Sequence, residues 1–132
     1  SSVATRRSFQ PAPALVLGEA LSLWGGMDPA TGIIIERRHP QHGAVVTGLI
    51  LVLPAARGSS SSASVLAEAV RAGTAPAAIV LGEPDLMLAL GAAVAEELYG
   101  VQIPILVLPA ADLAGIRDGE TVDIGPKGVQ AV

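Results

Sequence analysis

Cysteine is absent from the 132 residues of this sequence, which excludes a disulfide framework and any thiolate metal site on the chain. Aromatic residues number three, one each of Trp, Tyr and Phe. Three rings cannot build a base-stacking platform, and the eight Lys and Arg are scattered rather than gathered into a stripe in a chain of net charge -4. Nucleic acid is therefore not an expected partner. Long apolar runs are also missing. The uncharged run 44–56 is interrupted by Thr47, Gly48 and Pro54 and falls short of the roughly 20 residues that a membrane-spanning helix needs. The first residues, Ser-Ser-Val-Ala-Thr-Arg-Arg, are not a charged start followed by an apolar stretch, which favours a cytoplasmic location over secretion.

What the chain does contain is aliphatic. Hydrophobic residues make up 51% of it while aromatics make up 2%, so the core is built from Ala, Val, Leu and Ile. The length suits one domain with a real core. A mean hydropathy of +0.57 is high for a solitary domain of this size and implies apolar surface covered by a partner subunit.

The stretch from Pro54 to Ser64 organises the rest. Leu49-Ile50-Leu51-Val52-Leu53 is a continuous aliphatic run closed by Pro54, the pattern of a strand buried on both faces. Beyond it, Val65, Leu66, Ala69 and Val70 fall on one side of a helix ending near Gly73. Between them stand Arg57, Gly58 and the four serines Ser59, Ser60, Ser61 and Ser62. Any of these serines can cap the helix, whose first N–H groups then favour a negative ligand. Arg57 is the one fixed positive charge between Arg38 and Arg71. A glycine and serine connector with a simple cap is the competing reading, although four consecutive serines exceed what one cap needs.

Residues 1–13 read as an arm set off by Pro11-Ala12-Pro13, and 14–132 as a single domain. Ala14 to Leu17 is a short strand and Leu21 to Trp24 a second candidate. Gly25-Gly26-Met27-Asp28-Pro29 reads as a tight turn, in which Asp28 is a turn former and Trp24 a core residue unless they line a site. Ile33 to Ile35 is strand-like. His39 and His42, separated by a proline and lacking a matching carboxylate, read as parts of a surface loop rather than metal ligands. From Thr47 onward the elements alternate: strand 49–53, helix about 62–72, strand 77–81, helix about 85–99, strand 103–107. In the second helix Leu86, Leu90, Val94 and Leu98 recur every four residues, with Pro84 at its start and Gly100 at its end. The unit is βαβαβ, hence a parallel sheet whose ligand site lies at the carboxyl ends of its strands. Thr121 to Ile124 and Val129 to Val132 read as a hairpin added to the early strands. The fold class is α/β: a parallel βαβαβ core with flanking strands, forming two β layers with helices on one side.

Several of these segments together resemble a known family. Leu21-Ser22-Leu23-Trp24-Gly25-Gly26-Met27-Asp28-Pro29-Ala30-Thr31-Gly32, then His39-Pro40 and Gly43, Arg57-Gly58-Ser59-Ser60 and Gly73-Thr74-Ala75-Pro76-Ala77-Ala78-Ile79 are similar to the small, swivelling β/β/α domain or subunit of aconitase X. The resemblance covers roughly residues 14 to 125. It implies a lyase of the hydro-lyase type, active with a larger subunit that carries iron or an iron–sulfur cluster, the cluster lying on that partner and not on this chain. It also implies a small hydroxy acid substrate. Leu23-Trp24 and Arg37-Arg38-His39-Pro40 look more like the members that dehydrate cis-3-hydroxy-L-proline to a pyrroline-2-carboxylate than those that dehydrate mevalonate 5-phosphate. Ala55-Ala56 before Arg57 departs from the relatives that carry a glycine there.

By the same resemblance, Ser59 is the base that removes the α-proton, Arg57, Gly58, Ser60, Ser61 and Ser62 bind substrate, and Trp24 and Asp28 are candidate site-lining residues. A serine hydroxyl is a poor base, and each pKa unit costs about 1.36 kcal/mol, whereas a helix N-terminus offers about 0.3–2 kcal/mol. Arg57 and a metal on the partner must supply the remainder. Two other readings stand beside this one. The C-terminal half is similar to the phosphohistidine swivelling domain of phosphoenolpyruvate-utilising enzymes, but serine stands where that carrier needs histidine, so the likeness is one of fold. A non-catalytic module that binds carboxylate or phosphate through the serine loop is the third.

Overall fold

The aliphatic run that ends at Pro54 is the axis of the molecule. In the computed structural model, which describes residues 10–57, 60–125 and 128–132, Ile50–Leu53 is a strand with all four residues buried. Leu51 and Leu53 enter one apolar cluster and Ile50 and Val52 the other, because successive side chains of a strand point to opposite faces. This is the two-sided burial that the continuous run implies.

In chain order the elements are β1 (Ala12–Val16), a single irregular turn α1 (Leu23–Gly26), β2 (Met27–Asp28), β3 (Ile33–Ile34), β4 (Ile50–Leu53), α2 (Ser61–Ala72), β5 (Ala78–Leu81), α3 (Leu86–Tyr99), β6 (Ile105–Val107), α4 (Ala110–Ala114), β7 (Thr121–Gly125) and β8 (Gly128–Ala131). Six strands form one sheet in the order β6-β5-β4-β1-β7-β8. β1, β4, β5 and β6 run parallel, and the β7–β8 hairpin joins antiparallel to β1 through Ala12 opposite Val122. The parallel βαβαβ core and the added C-terminal hairpin are those expected from the sequence. The second β layer is small: β2 and β3 pair with each other in a separate two-stranded sheet. No helix among the described residues is long and apolar enough to cross a membrane.

α2 and α3 pack on one face of the sheet. α2 ends at Gly73, whose φ of 79° lets its N–H turn back to the carbonyls of Ala69 and Val70. α3 is capped by Asp85, whose carboxylate accepts from the Leu88 N–H at 2.9 Å. The two helices touch at Gly91, where an added Cβ would stand 2.8 Å from the Ala63 carbonyl oxygen. Only small residues allow that approach, so α3 turns Leu88, Gly91 and Ala95 inward. Its Leu86, Leu90, Val94 and Leu98, which share the four-residue spacing noted above, all face outward.

Three local readings change. β1 starts at Ala12, two residues before the strand expected from Ala14. Leu21 to Trp24 is not a strand: Leu21 makes one isolated bridge to Ala56, and the chain then bends through Gly25 at φ 80°. The reversal expected at 25–29 lies one step later, because Asp28 drives it. Its carboxylate accepts from the Ala30 N–H and the Thr31 hydroxyl, and its carbonyl accepts from the Gly32 N–H at 2.7 Å.

Candidate functional site at the entry to α2

β4 delivers the chain to Pro54, and the next three residues are tied down from the side. The Leu21 N–H donates to the Ala55 carbonyl and the Arg57 N–H to the Leu21 carbonyl, each at 3.3 Å. The Arg57 side chain is held as well: Nη2 donates to the Ala20 carbonyl at 3.0 Å and lies 3.6 Å from Glu36 Oε2. Gly26 completes this corner. A Cβ there would stand 2.8 Å from Leu21 Cδ1 and 3.7 Å from Glu36 Oε1, so only glycine fits against Leu21 and Glu36 at this bend, and Trp24 before it is exposed, not a core residue.

His39 and Gln41 clamp the other side of the same corner. Gln41 Oε1 accepts from the Gly18 N–H at 2.9 Å. His39 Nδ1 accepts from the Gln41 N–H at 3.0 Å, which places the ring proton on Nε2, 3.2 Å from the Glu19 carbonyl. The segment is the loop expected, with His42 exposed, but the His39 side chain turns inward and is buried and fully engaged. Sequence reasoning missed Glu36, His39 and Gln41 as supports of this corner. The charged and polar run 36–43 was their one visible signal, and it carries no period that would show which members fold back onto 18–20.

At the start of α2, Ser60 already has helical φ and ψ and makes no side-chain cap bond. Ser61 is half-buried. Ser62 belongs to the inward stripe it forms with Leu66 and Ala69; it is 2% exposed, and its hydroxyl has no hydrogen-bond partner. Gly58 and Ser59, the two residues between Arg57 and this turn, lie outside the described residues. Arg57 and Ser60 thereby flank the entry to α2, with Ser61 half-buried and Ser62 turned into the core, whereas nothing among the described residues ties Trp24 to them beyond its exposure. Asp28 is not among them. Its neighbour Pro29 accepts from the Thr74 hydroxyl at 2.6 Å, just past the C-terminal end of α2, so a helix of 12 residues, about 18 Å long, separates Asp28 from the serines.

A second depression of about 360 Å³ lies at the same edge of the sheet, lined by Val16, Val52, Pro54, Gly82 and Leu113 among others. Its walls offer no ionisable side chain, so it can shelter apolar groups but not move a proton. Among the described residues no group of three or more His, Cys, Asp or Glu is placed to hold a metal ion.

The family model of the aconitase X swivel domain matches residues 6–132. The chain belongs to the aconitase X swivel-domain family. Among solved structures, aconitase X of Thermococcus kodakaraensis in its holo-form superposes with a TM-score of 0.80 at 27% identity, covering 93% of this chain and 89% of that one. In sequence, the swivel domain is 52% identical over 88 residues to the cis-3-hydroxy-L-proline dehydratase of Pseudomonas aeruginosa, spanning 67% of this chain and 15% of the relative. The corresponding dehydratase of Hypocrea jecorina is 39% identical over 100 residues, with 76% and 17% covered. The phosphomevalonate dehydratase small subunit of Methanopyrus kandleri is 37% identical over 118 residues, with 89% and 83% covered. The chain therefore spans about one sixth of the two hydroxyproline dehydratases and most of the archaeal small subunit.

Proposed function

We propose that this chain is the swivelling component of an aconitase X hydro-lyase that dehydrates cis-3-hydroxy-L-proline to a pyrroline-2-carboxylate, and that residues 57–61 bind the substrate and remove its α-proton, the buried Ser62 supporting the turn from within. The observation that carries the reading is Arg57: its guanidinium is steadied by the Ala20 carbonyl and Glu36 at the point where the chain enters α2. Arginine presents a planar fork that suits a carboxylate, and the N-terminal turn of α2 adds a partial positive charge on the same side. The 52% identity to the Pseudomonas aeruginosa enzyme favours the proline substrate.

The division of labour follows from what each side chain can do. Arg57 holds the carboxylate, which orients the α-carbon toward the serines. Ser59 takes the α-proton, the electron pair left behind forms the C2–C3 double bond, and the C3 hydroxyl departs as water after gaining a proton. An iron or iron–sulfur centre, held by the larger component, would supply Lewis acidity toward that leaving hydroxyl when bound. This chain has no cysteine and no clustered ligand set among its described residues, so its own contribution is binding, orientation and the proton.

A second reading, the small subunit of a phosphomevalonate dehydratase, is favoured by the match to 83% of the Methanopyrus kandleri chain. Coexpression with the larger component, followed by assays on cis-3-hydroxy-L-proline and on mevalonate 5-phosphate, separates them. Turnover of the proline substrate is expected. Turnover of the phosphate substrate alone would establish the second reading, and turnover of neither by a well-formed complex would make the domain a binding module.

A further inference from the structure

The outer face of α3 is unusual for a helix with one side on a core. Leu86, Leu90, Val94 and Leu98 are exposed by 77%, 49%, 37% and 63%, and their four-residue spacing carries them along about 18 Å of helix. Tyr99 is exposed as well and shares a groove with Leu90 and Val94. Only Glu96 and Glu97 are charged in the whole of α3. Apolar surface in a continuous stripe, unlike scattered single residues, marks a surface that something covers.

Leu90, Val94 and Tyr99 also form one wall of a groove whose other wall is Ser60, Ser64 and Ala67 of the α2 region. The one charged residue in the groove, Glu68, is hydrogen-bonded by Arg71, which holds its carboxyl below the usual carboxylate range. The groove therefore presents no unpaired charge. Its upper end is Ser60, next to the proposed base, so an occupant of the groove reaches the substrate loop.

We propose that this stripe and groove are the docking surface for the larger component of the dehydratase, which seats an apolar, uncharged face on α3 and so places its edge beside the serine loop. The proposal rests on the function given above and names the surface that the function requires. Two facts argue for that occupant. The hydroxyproline dehydratases that match this domain devote only 15% and 17% of their length to it, so in them a much larger body accompanies the same fold. The groove is continuous with the loop that must meet that body, and its lack of unpaired charge suits an apolar partner face rather than a nucleic acid.

The test mixes the chain with its separately produced larger component and measures the dissociation constant by calorimetry. It compares the wild type, the double variant Leu90→Glu with Val94→Glu, and the control Gln130→Glu on the exposed β8. Both altered α3 positions are exposed, so melting of the isolated chain should be unchanged. The double variant should bind at least tenfold more weakly, the control should bind like the wild type, and excess larger component should restore the wild-type kcat. Unchanged affinity in the double variant would overturn the docking surface. So would light scattering that shows an isolated wild-type dimer converted to monomer by the double variant, since a second copy would then be the occupant. A tight complex that the double variant weakens but that never dehydrates substrate would instead count against the proposed activity while leaving the docking surface standing.

Discussion

Arg57 and Glu36 lie 3.6 Å apart, joined across the corner where the segment after β1 meets the entry to α2. Both are substantially exposed, so as an ion pair they contribute little to stability, about 0–1 kcal/mol. Their value lies in aim: Glu36 and the Ala20 carbonyl share Nη2 and steady the guanidinium.

Replacing Glu36 with Gln should leave thermal stability nearly unchanged and raise KM several-fold at constant kcat, because it frees Arg57 without removing its charge. Arg57→Lys should raise KM further, since a point charge cannot reproduce a two-pronged contact with a carboxylate. Steady-state kinetics on the reconstituted complex checks both. A Glu36→Gln enzyme that loses kcat with KM unchanged would show that the pair serves the chemical step instead.

Ser62 offers a measurement on the isolated chain. A buried hydroxyl left without a partner costs about 1–3 kcal/mol, and Ser62 is such a group. Ser62→Ala should therefore raise stability by about 1 kcal/mol or more in urea unfolding. A loss of stability would mean that the hydroxyl is satisfied in solution.

Gly91 sets two effects against each other. Alanine in a helix interior is worth about 0.8–1 kcal/mol over glycine. An added Cβ here, however, meets the Ala63 carbonyl oxygen at 2.8 Å and its Cα at 3.0 Å, backbone atoms that cannot swing aside. Overpacking of this kind costs about 1–3 kcal/mol, so Gly91→Ala should destabilise the chain. A net gain would show that α2 and α3 can separate freely.

Much of this was readable in the sequence where one physical cause dominates. The run Leu49 to Leu53 is short, wholly aliphatic and closed by Pro54, so length and flank together point to a doubly buried strand. Gly73 and Gly100 stop their helices because no other residue adopts a left-handed φ at such low cost. The spacing of Leu86, Leu90, Val94 and Leu98 identified a helix but not the direction it faces, since that was decided by the backbone approach of Gly91 to Ala63, a contact between segments nearly thirty residues apart. Asp28 was correctly seen as a turn former, but its distance from the serines depends on Thr74 binding Pro29, which no local pattern encodes. Likewise, the burial of His39 arises from a backbone carbonyl twenty residues earlier.

The serine loop itself is tested most directly by Ser59→Ala in the complex with the larger component, assayed on cis-3-hydroxy-L-proline. Removal of a group that acts as base chiefly in the transition state should lower kcat by about 10²–10⁴-fold while KM stays within a few fold. Near-normal kcat in Ser59→Ala beside a dead Ser60→Ala, Ser61→Ala or Ser62→Ala would move the base to that serine. Full activity in all four variants would contradict the claim that this loop carries the proton.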